Sequence, residues 1–306
     1  MRLGRPARIF VDGEAGTTGL HIASELQAMP DVELVSLPRD LRRDEQARCE
    51  AMWAADLVVL CLPDDAARQA VAMAPATVRV IDASSAHRVA EGWVYGFPEL
   101  QPGQPSAIAG AIRVSNPGCY PTGAVALIRP LIDAGLLPAD HPISVNAVSG
   151  YTGGGKAMVA AHEQAGGPPF ELYALGLTHK HVAELQRYGG LSKTPIFVPS
   201  VGHFAQGMLV SVPIHLDTLP GRVTTRDLHD ALAAHYAATP RVSVSSPPGD
   251  GRLTPEALNG TDRLELFVAG NADQRHAVLV ARLDNLGKGA SLAAVQNVTL
   301  MLGLNR

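Results

Sequence analysis

Short apolar runs alternate with segments of helical spacing through the first third of the chain. Ala7–Asp12 (ARIFVD), Val32–Leu37, Leu57–Leu62 and Val78–Asp82 read as strands. Between them a helix is predicted over Leu20–Met29, where Leu20, Ala23, Leu26 and Gln27 keep roughly helical spacing before Pro30 ends it. Arg43–Ala54 and Asp65–Met73 follow as further helices. The strands are apolar at successive positions rather than alternating, as strands buried on both faces should be. Strand and helix in turn predict a parallel sheet wound by right-handed crossovers. The fold class is therefore α/β, opening with a doubly wound, Rossmann-like nucleotide-binding domain.

The pattern changes after residue 117. Ile143–Ser149, Ile196–Pro199, Gln206–His215, Val242–Ser245, Leu264–Leu266 and Arg275–Leu283 are longer and more alternating, with fewer helices between them. They predict an α+β domain on a mixed or antiparallel sheet. Lys288–Leu304 reads as one long amphipathic helix, apolar at Leu292, Val295, Val298 and Leu302, and Ser245–Gly251 (SSPPGDG) reads as a loop.

Composition narrows the class. With 46% hydrophobic and 18% charged residues in 306, the chain can bury two ordinary cores, which excludes a disordered or fibrous protein. The formal charge of −4 and the absence of a basic face speak against a nucleic-acid partner. No apolar run reaches the roughly 18 residues of a membrane span. Three scattered cysteines, Cys49, Cys61 and Cys119, form neither a disulfide framework nor a metal knuckle. Met1–Pro6 lacks the apolar stretch of a leader, so a cytoplasmic protein with reduced thiols is expected.

The first strand runs into Gly13-Glu14-Ala15-Gly16-Thr17-Thr18-Gly19 and then a helix. Glycines three apart allow a tight turn, close approach to a pyrophosphate and close helix packing, and the helix start offers N–H groups to phosphate. An NAD site would place a carboxylate about 20 residues on, at the end of the second strand. Val35-Ser36-Leu37-Pro38-Arg39 stands there instead, and Ser36, Arg39, Arg42 and Arg43 suit a 2′-phosphate. The expected cofactor is NADP(H); the alternative is a solvated arginine surface.

Ser115-Asn116-Pro117-Gly118-Cys119-Tyr120-Pro121-Thr122-Gly123 precedes the apolar helical run Ala124–Ile132. Cys119 thus falls at a helix start, where the dipole favours thiolate. Cys61, inside an apolar strand, reads as a core residue, and Cys49 in a polar helix carries no signal. A thiolate nucleophile needs a proton carrier, and His179-Lys180-His181-Val182-Ala183-Glu184 offers one, with Glu184 one turn beyond His181. The same residues read equally as metal ligands or as surface histidines at a helix start. A dinucleotide, a thiolate and an imidazole together suit interconversion of an aldehyde with an activated acid. A cofactor-binding sensor without catalysis is the reading from another class.

Larger motifs extend this. DGEAGTTGL (Asp12–Leu20), IDASSAHR (Ile81–Arg88), YGFPEL (Tyr95–Leu100), SNPGCYPTG (Ser115–Gly123), SGYTGGGK (Ser149–Lys156), HKH (His179–His181) and DNLGKGASLAAVQN (Asp284–Asn297) span nearly the whole chain. In this order they resemble the shorter type of N-acetyl-gamma-glutamyl-phosphate reductase, of the semialdehyde dehydrogenase superfamily. After HKH this chain has Val-Ala-Glu where the longer type has Pro-Glu. The resemblance implies NADPH-dependent reduction of N-acetylglutamyl 5-phosphate to the 5-semialdehyde in arginine biosynthesis, through a thioester on Cys119. It implies His181 as general acid/base with His179 placing it, and the Cys119 N–H as an oxyanion donor. Arg88, Arg113 and Lys156 would clamp the anionic substrate, with Ser149, Gly150 and Glu184 beside it. Gly13–Gly19, Ser36, Arg39, Ser84, Asn285, Lys288 and Gly289 would meet the cofactor. The last helix would return to the first domain, giving residues 1–117 and 285–306 as the NADP-binding domain and 118–284 as the catalytic and oligomerisation domain. A homodimer or homotetramer is expected. Aspartate-semialdehyde dehydrogenase shares this chemistry and is the nearest enzymatic alternative.

Overall fold

The computed structural model describes Arg5–Leu304; Met1–Gly4, part of the segment read for a leader, lies outside the described residues. Along the chain come β1 (Ala7–Asp12), α1 (Thr17–Gln27), β2 (Val32–Val35), α2 (Glu45–Ala54), β3 (Leu57–Leu60), α3 (Asp64–Met73), β4 (Arg79–Asp82), β5 (Val94–Tyr95), α4 (Gln104–Gly110) and β6 (Arg113–Ser115). Then follow α5 (Cys119–Asp133), β7 (Ser144–Gly150), α6 (Gly155–Ala165), β8 (Phe170–Leu172), α7 (Val182–Gly189), β9 (Ile196–Gly202), β10 (Met208–His215) and α8 (Thr225–Tyr236). The chain closes with β11 (Val242–Ser245), β12 (Leu264–Asn271), β13 (His276–Leu283), a π-turn (Gly287–Ser291) and α9 (Leu292–Leu302). Two compact units result, one of residues 1–98, 102–117 and 290–306, the other of 99–101 and 118–289.

The first unit holds a six-stranded sheet in the order β2-β1-β3-β4-β6-β5, parallel throughout. Its successive apolar positions feed two separate cores. Ile9, Val11, Leu57, Val59, Ile81 and Val114 pack with Ile22 and Leu26 of α1 and Val295, Val298 and Met301 of α9. Phe10, Val58, Leu60 and Val80 pack with Met52 of α2 and Ala70 of α3. Double burial is therefore why these strands do not alternate. Two expectations need correction. Leu20 is 57% exposed, so the buried stripe of α1 is Gly19, Ile22 and Leu26. The final helix is not amphipathic: Leu292–Thr299 is buried on every side, and the helix proper begins only after the π-turn.

The second unit is a seven-stranded mixed sheet, β11-β12-β13-β10-β7-β9-β8, with parallel pairs only at β11–β12 and β7–β9. One face packs on helices. In β10, Met208, Val210, Val212 and Ile214 are buried, while Leu209, Ser211, Pro213 and His215 on the other face are not. In register with these, Val278 and Val280 of β13 keep partial exposure. Helix α5 lies against β10 and β13, so closely that a Cβ on Gly123 would sit 2.9 Å from Val210.

Candidate active site

Gly13 adopts φ +90°, and a Cβ there would fall 2.3 Å from the Cys61 carbonyl oxygen; only glycine turns the chain here. Gly16 caps α1 without a side-chain bond, and no acidic residue stands in the first helical turn. The leading N–H groups are therefore presented to an anion, which fits the pyrophosphate of a dinucleotide. Ser84 lies just past β4, its N–H and hydroxyl both donating to Asp82 at 2.8 Å. Ser36 and Arg39 are exposed just past β2. All of these sit at the carboxyl ends of the parallel strands, where such sheets bind ligands. Arg113 does not. It begins β6, at the opposite ends, and donates to the carbonyls of Val78 (2.6 Å) and Ile112 (3.2 Å), so a substrate clamp is not its place. The buried Arg88 donates to the Asn116 and Ala83 carbonyls at 3.1 and 3.2 Å, bracing the segment that leads to the cysteine.

In the second unit, Cys119 is the first residue of α5 and is half-buried rather than sealed. Gly118 N–H donates to Glu184 Oε1 at 2.7 Å, so this buried carboxylate, expected at the substrate, ties the start of the cysteine helix to the first turn of α7. Tyr120, the residue after Cys119, belongs to one cluster of rings with Tyr173, His179, His181 and Phe197. The His179 and His181 rings lie 4.6 Å apart, and that of Tyr120 lies 6.4 and 5.9 Å from them. His181 N–H donates to His179 Nδ1 at 3.1 Å, which puts the proton of neutral His179 on Nε2. Tyr173 OH donates to Tyr120 OH at 3.2 Å, and Tyr120 OH to the Ser200 carbonyl at 3.0 Å. Burial pushes the Tyr173 phenol up to about 12 against the lowering effect of its bond with Tyr120, and burial, then the neighbouring Tyr173, pushes Tyr120 higher still. Both phenols therefore act as neutral donors. Tyr120, Tyr173 and Phe197 were missed in the sequence: Tyr120 stands in the cysteine motif, but nothing local marks Tyr173 or Phe197.

Lys156 apart, the remaining expected residues have definite employment. Ser149 Oγ is buried and donates to the Gly150 carbonyl at 3.0 Å, and a Cβ on Gly150 would strike Ala205 at 2.5 Å. The Asn285 amide accepts from Gly207 N–H at 2.8 Å and donates to Thr152 at 3.0 Å, joining two loops. Lys156 is exposed on α6. Lys288, expected at the cofactor, is 1% exposed, with both Glu99 oxygens at 2.8 Å. Its ammonium serves a carboxylate and not a phosphate. Gly289 backs directly onto Cys119: a Cβ there would lie 2.8 Å from Cys119 Cβ. Among the described residues no group of three or more His, Cys, Asp or Glu is placed to hold a metal, and no helix is long and apolar enough to cross a membrane.

Two family models match this chain: semialdehyde dehydrogenase, NAD binding domain, over residues 21–108, and semialdehyde dehydrogenase, dimerisation domain, over 119–285. The chain is 53% identical over 302 residues to N-acetyl-gamma-glutamyl-phosphate reductase 2 of Pseudomonas putida, covering 96% of each. It is 50% identical over 312 residues to the protein of the same name from Nostoc sp., covering 97% of each. Among solved structures, aspartate semialdehyde dehydrogenase II complexed with ASA from Vibrio cholerae matches with TM-score 0.73 at 17% identity, over 98% of this chain and 99% of that one. Aspartate semialdehyde dehydrogenase with NADP from Candida albicans matches with TM-score 0.65 at 14% identity, over 97% and 98%. Likeness at that identity speaks for the fold alone.

Proposed function

The chain belongs to the N-acetyl-gamma-glutamyl-phosphate reductases of the semialdehyde dehydrogenase family, and from that premise we propose that Cys119 carries the acyl group in the family's reaction. The enzyme reduces N-acetyl-L-glutamyl 5-phosphate to the 5-semialdehyde with release of phosphate, in arginine biosynthesis. What carries the site assignment is the placing of a half-exposed cysteine at the start of α5, with two imidazoles gathered beside its neighbour Tyr120.

His181 takes the thiol proton, and the Cys119 sulfur attacks the acyl carbon; the bond to phosphate breaks and a thioester forms. NADPH, when bound, supplies the hydride that reduces the thioester carbonyl. N–H groups in the first turn of α5 hold the resulting oxyanion. The oxyanion reforms a carbonyl, the carbon–sulfur bond breaks, the aldehyde departs, and His181 returns the proton to sulfur. His179, bonded to the His181 backbone, sets the position of that ring, and Glu184 fixes the helix start from behind. Lys156 is the cation kept for the substrate's anionic groups. The glycine turn Gly13–Gly19, with Ser36, Arg39 and Ser84, holds the cofactor.

The aspartate-semialdehyde alternative is set aside, since the relatives near half identity carry the reductase name and the aspartate-semialdehyde enzymes share only the fold. A homodimer or homotetramer, assembled through the open face of the second sheet, is our reading of the dimerisation domain, and a cytoplasmic location suits a working thiol. A paired assay tests the function. The purified enzyme should oxidise N-acetylglutamate semialdehyde with phosphate and NADP and leave aspartate semialdehyde untouched. The reverse preference, or none, overturns the reading.

A further inference from the structure

The arginines that follow β2 do not meet a nucleotide on equal terms. Arg42 Nη2 lies 2.5 Å from Glu14 Oε1, and Glu14 stands inside the glycine turn after β1. The Arg42 Nε donates to the Leu37 carbonyl at 3.3 Å, so this one guanidinium joins the exit of β2 to the phosphate-binding turn. The Arg42 side chain is 40% exposed and that of Glu14 only 19%. The nearby Asp12 is held by Arg48 at 2.7 Å, in a pair more deeply buried than this one. Arg39 and Arg43 are exposed, and among the described residues neither is in an ion pair.

We propose that Glu14 is a specificity-determining residue, whose carboxylate competes with the 2′-phosphate of NADPH for Arg42. The inference rests on the NADPH reading above. A half-exposed ion pair is cheaply broken. A phosphate dianion offers the guanidinium a doubly charged, bidentate partner in place of a single carboxylate. A nucleotide without that phosphate leaves Arg42 on Glu14. The glycine turn thus carries a carboxylate that sets how much of the arginine loop's charge is available to the cofactor.

The test is calorimetric binding of 2′,5′-ADP and 5′-ADP to the full-length enzyme, with no turnover involved. Glu14→Gln should tighten 2′,5′-ADP by roughly threefold to tenfold and change 5′-ADP less than twofold. Arg42→Ala should weaken 2′,5′-ADP, and Glu14→Gln should bring no gain in that background. Unchanged or weaker 2′,5′-ADP binding in Glu14→Gln overturns the proposal. So does an equal gain for 5′-ADP, or a gain that persists without Arg42. If the native enzyme binds 2′,5′-ADP no better than 5′-ADP, the NADPH reading itself falls, and this proposal with it.

Discussion

Gly289→Ala is the smallest change that should move the nucleophile. Gly289 is not among the glycines of positive φ, so alanine carries no conformational penalty there and the whole effect is steric. The new methyl would stand 2.8 Å from Cys119 Cβ, 3.0 Å from the Asp284 carbonyl oxygen and 3.3 Å from Cys119 Cα. Carbon atoms rest at about 3.5–4.0 Å, so the two segments must part by roughly 0.7 Å or more. Neither side yields easily. Asp284 is fully buried and bonded by Gln206 Nε2 at 2.6 Å and by the N–H groups of Gly260 and Leu286 at 2.7 and 3.0 Å. The start of α5 is held by Glu184. Overpacking of this kind costs about 1–3 kcal/mol, and a displacement near 1 Å at a reacting atom costs on the order of a hundredfold in rate. We expect kcat to fall between about tenfold and a hundredfold, with KM for the acyl phosphate within about twofold and a lower urea midpoint. Steady-state kinetics and urea denaturation measure both. A variant with kcat within twofold of native and an unshifted midpoint would refute the argument that backbone contact positions the sulfur.

Other expectations follow from the same geometry. Cys119→Ala should abolish reduction while leaving NADPH binding nearly unchanged by calorimetry. Iodoacetamide at pH 8 should spare Cys61, whose thiol is pushed up to about 12 by burial and by Asp82 and Asp12; mass mapping that finds Cys61 alkylated in folded protein contradicts this. His181→Asn should lower kcat by about a hundredfold or more in steady-state assays, and His179→Asn by less. Glu99→Gln leaves the Lys288 ammonium buried with a neutral partner and should cost roughly 3–5 kcal/mol in urea unfolding, much of it recovered in Glu99→Leu/Lys288→Met. Burial already draws the Lys288 pKa below 10.5, and Glu99 opposes that. Without the carboxylate the folded-state value drops further, so the variant gains stability as pH rises toward 10.5.

What was legible in the sequence is what depends on neighbours in the chain. The glycine turn, the cysteine at a helix start and the strand runs of the first unit all follow from backbone geometry and periodicity over a few residues. The sequence also carried the family, because its motifs recur in order. Tertiary structure alone decided what each polar side chain holds. Arg113 resembles a phosphate clamp until the sheet puts it at the N-terminal end of β6 against the Val78 carbonyl. Lys288 meets Glu99, which precedes it by 189 residues, and Glu184 meets Gly118 across 66. Tyr173 and Phe197 reach the histidines only because β8 and β9 pair beside β7. A charge or a phenol takes the partner that burial leaves within reach, and burial is set by packing between distant segments rather than by sequence spacing.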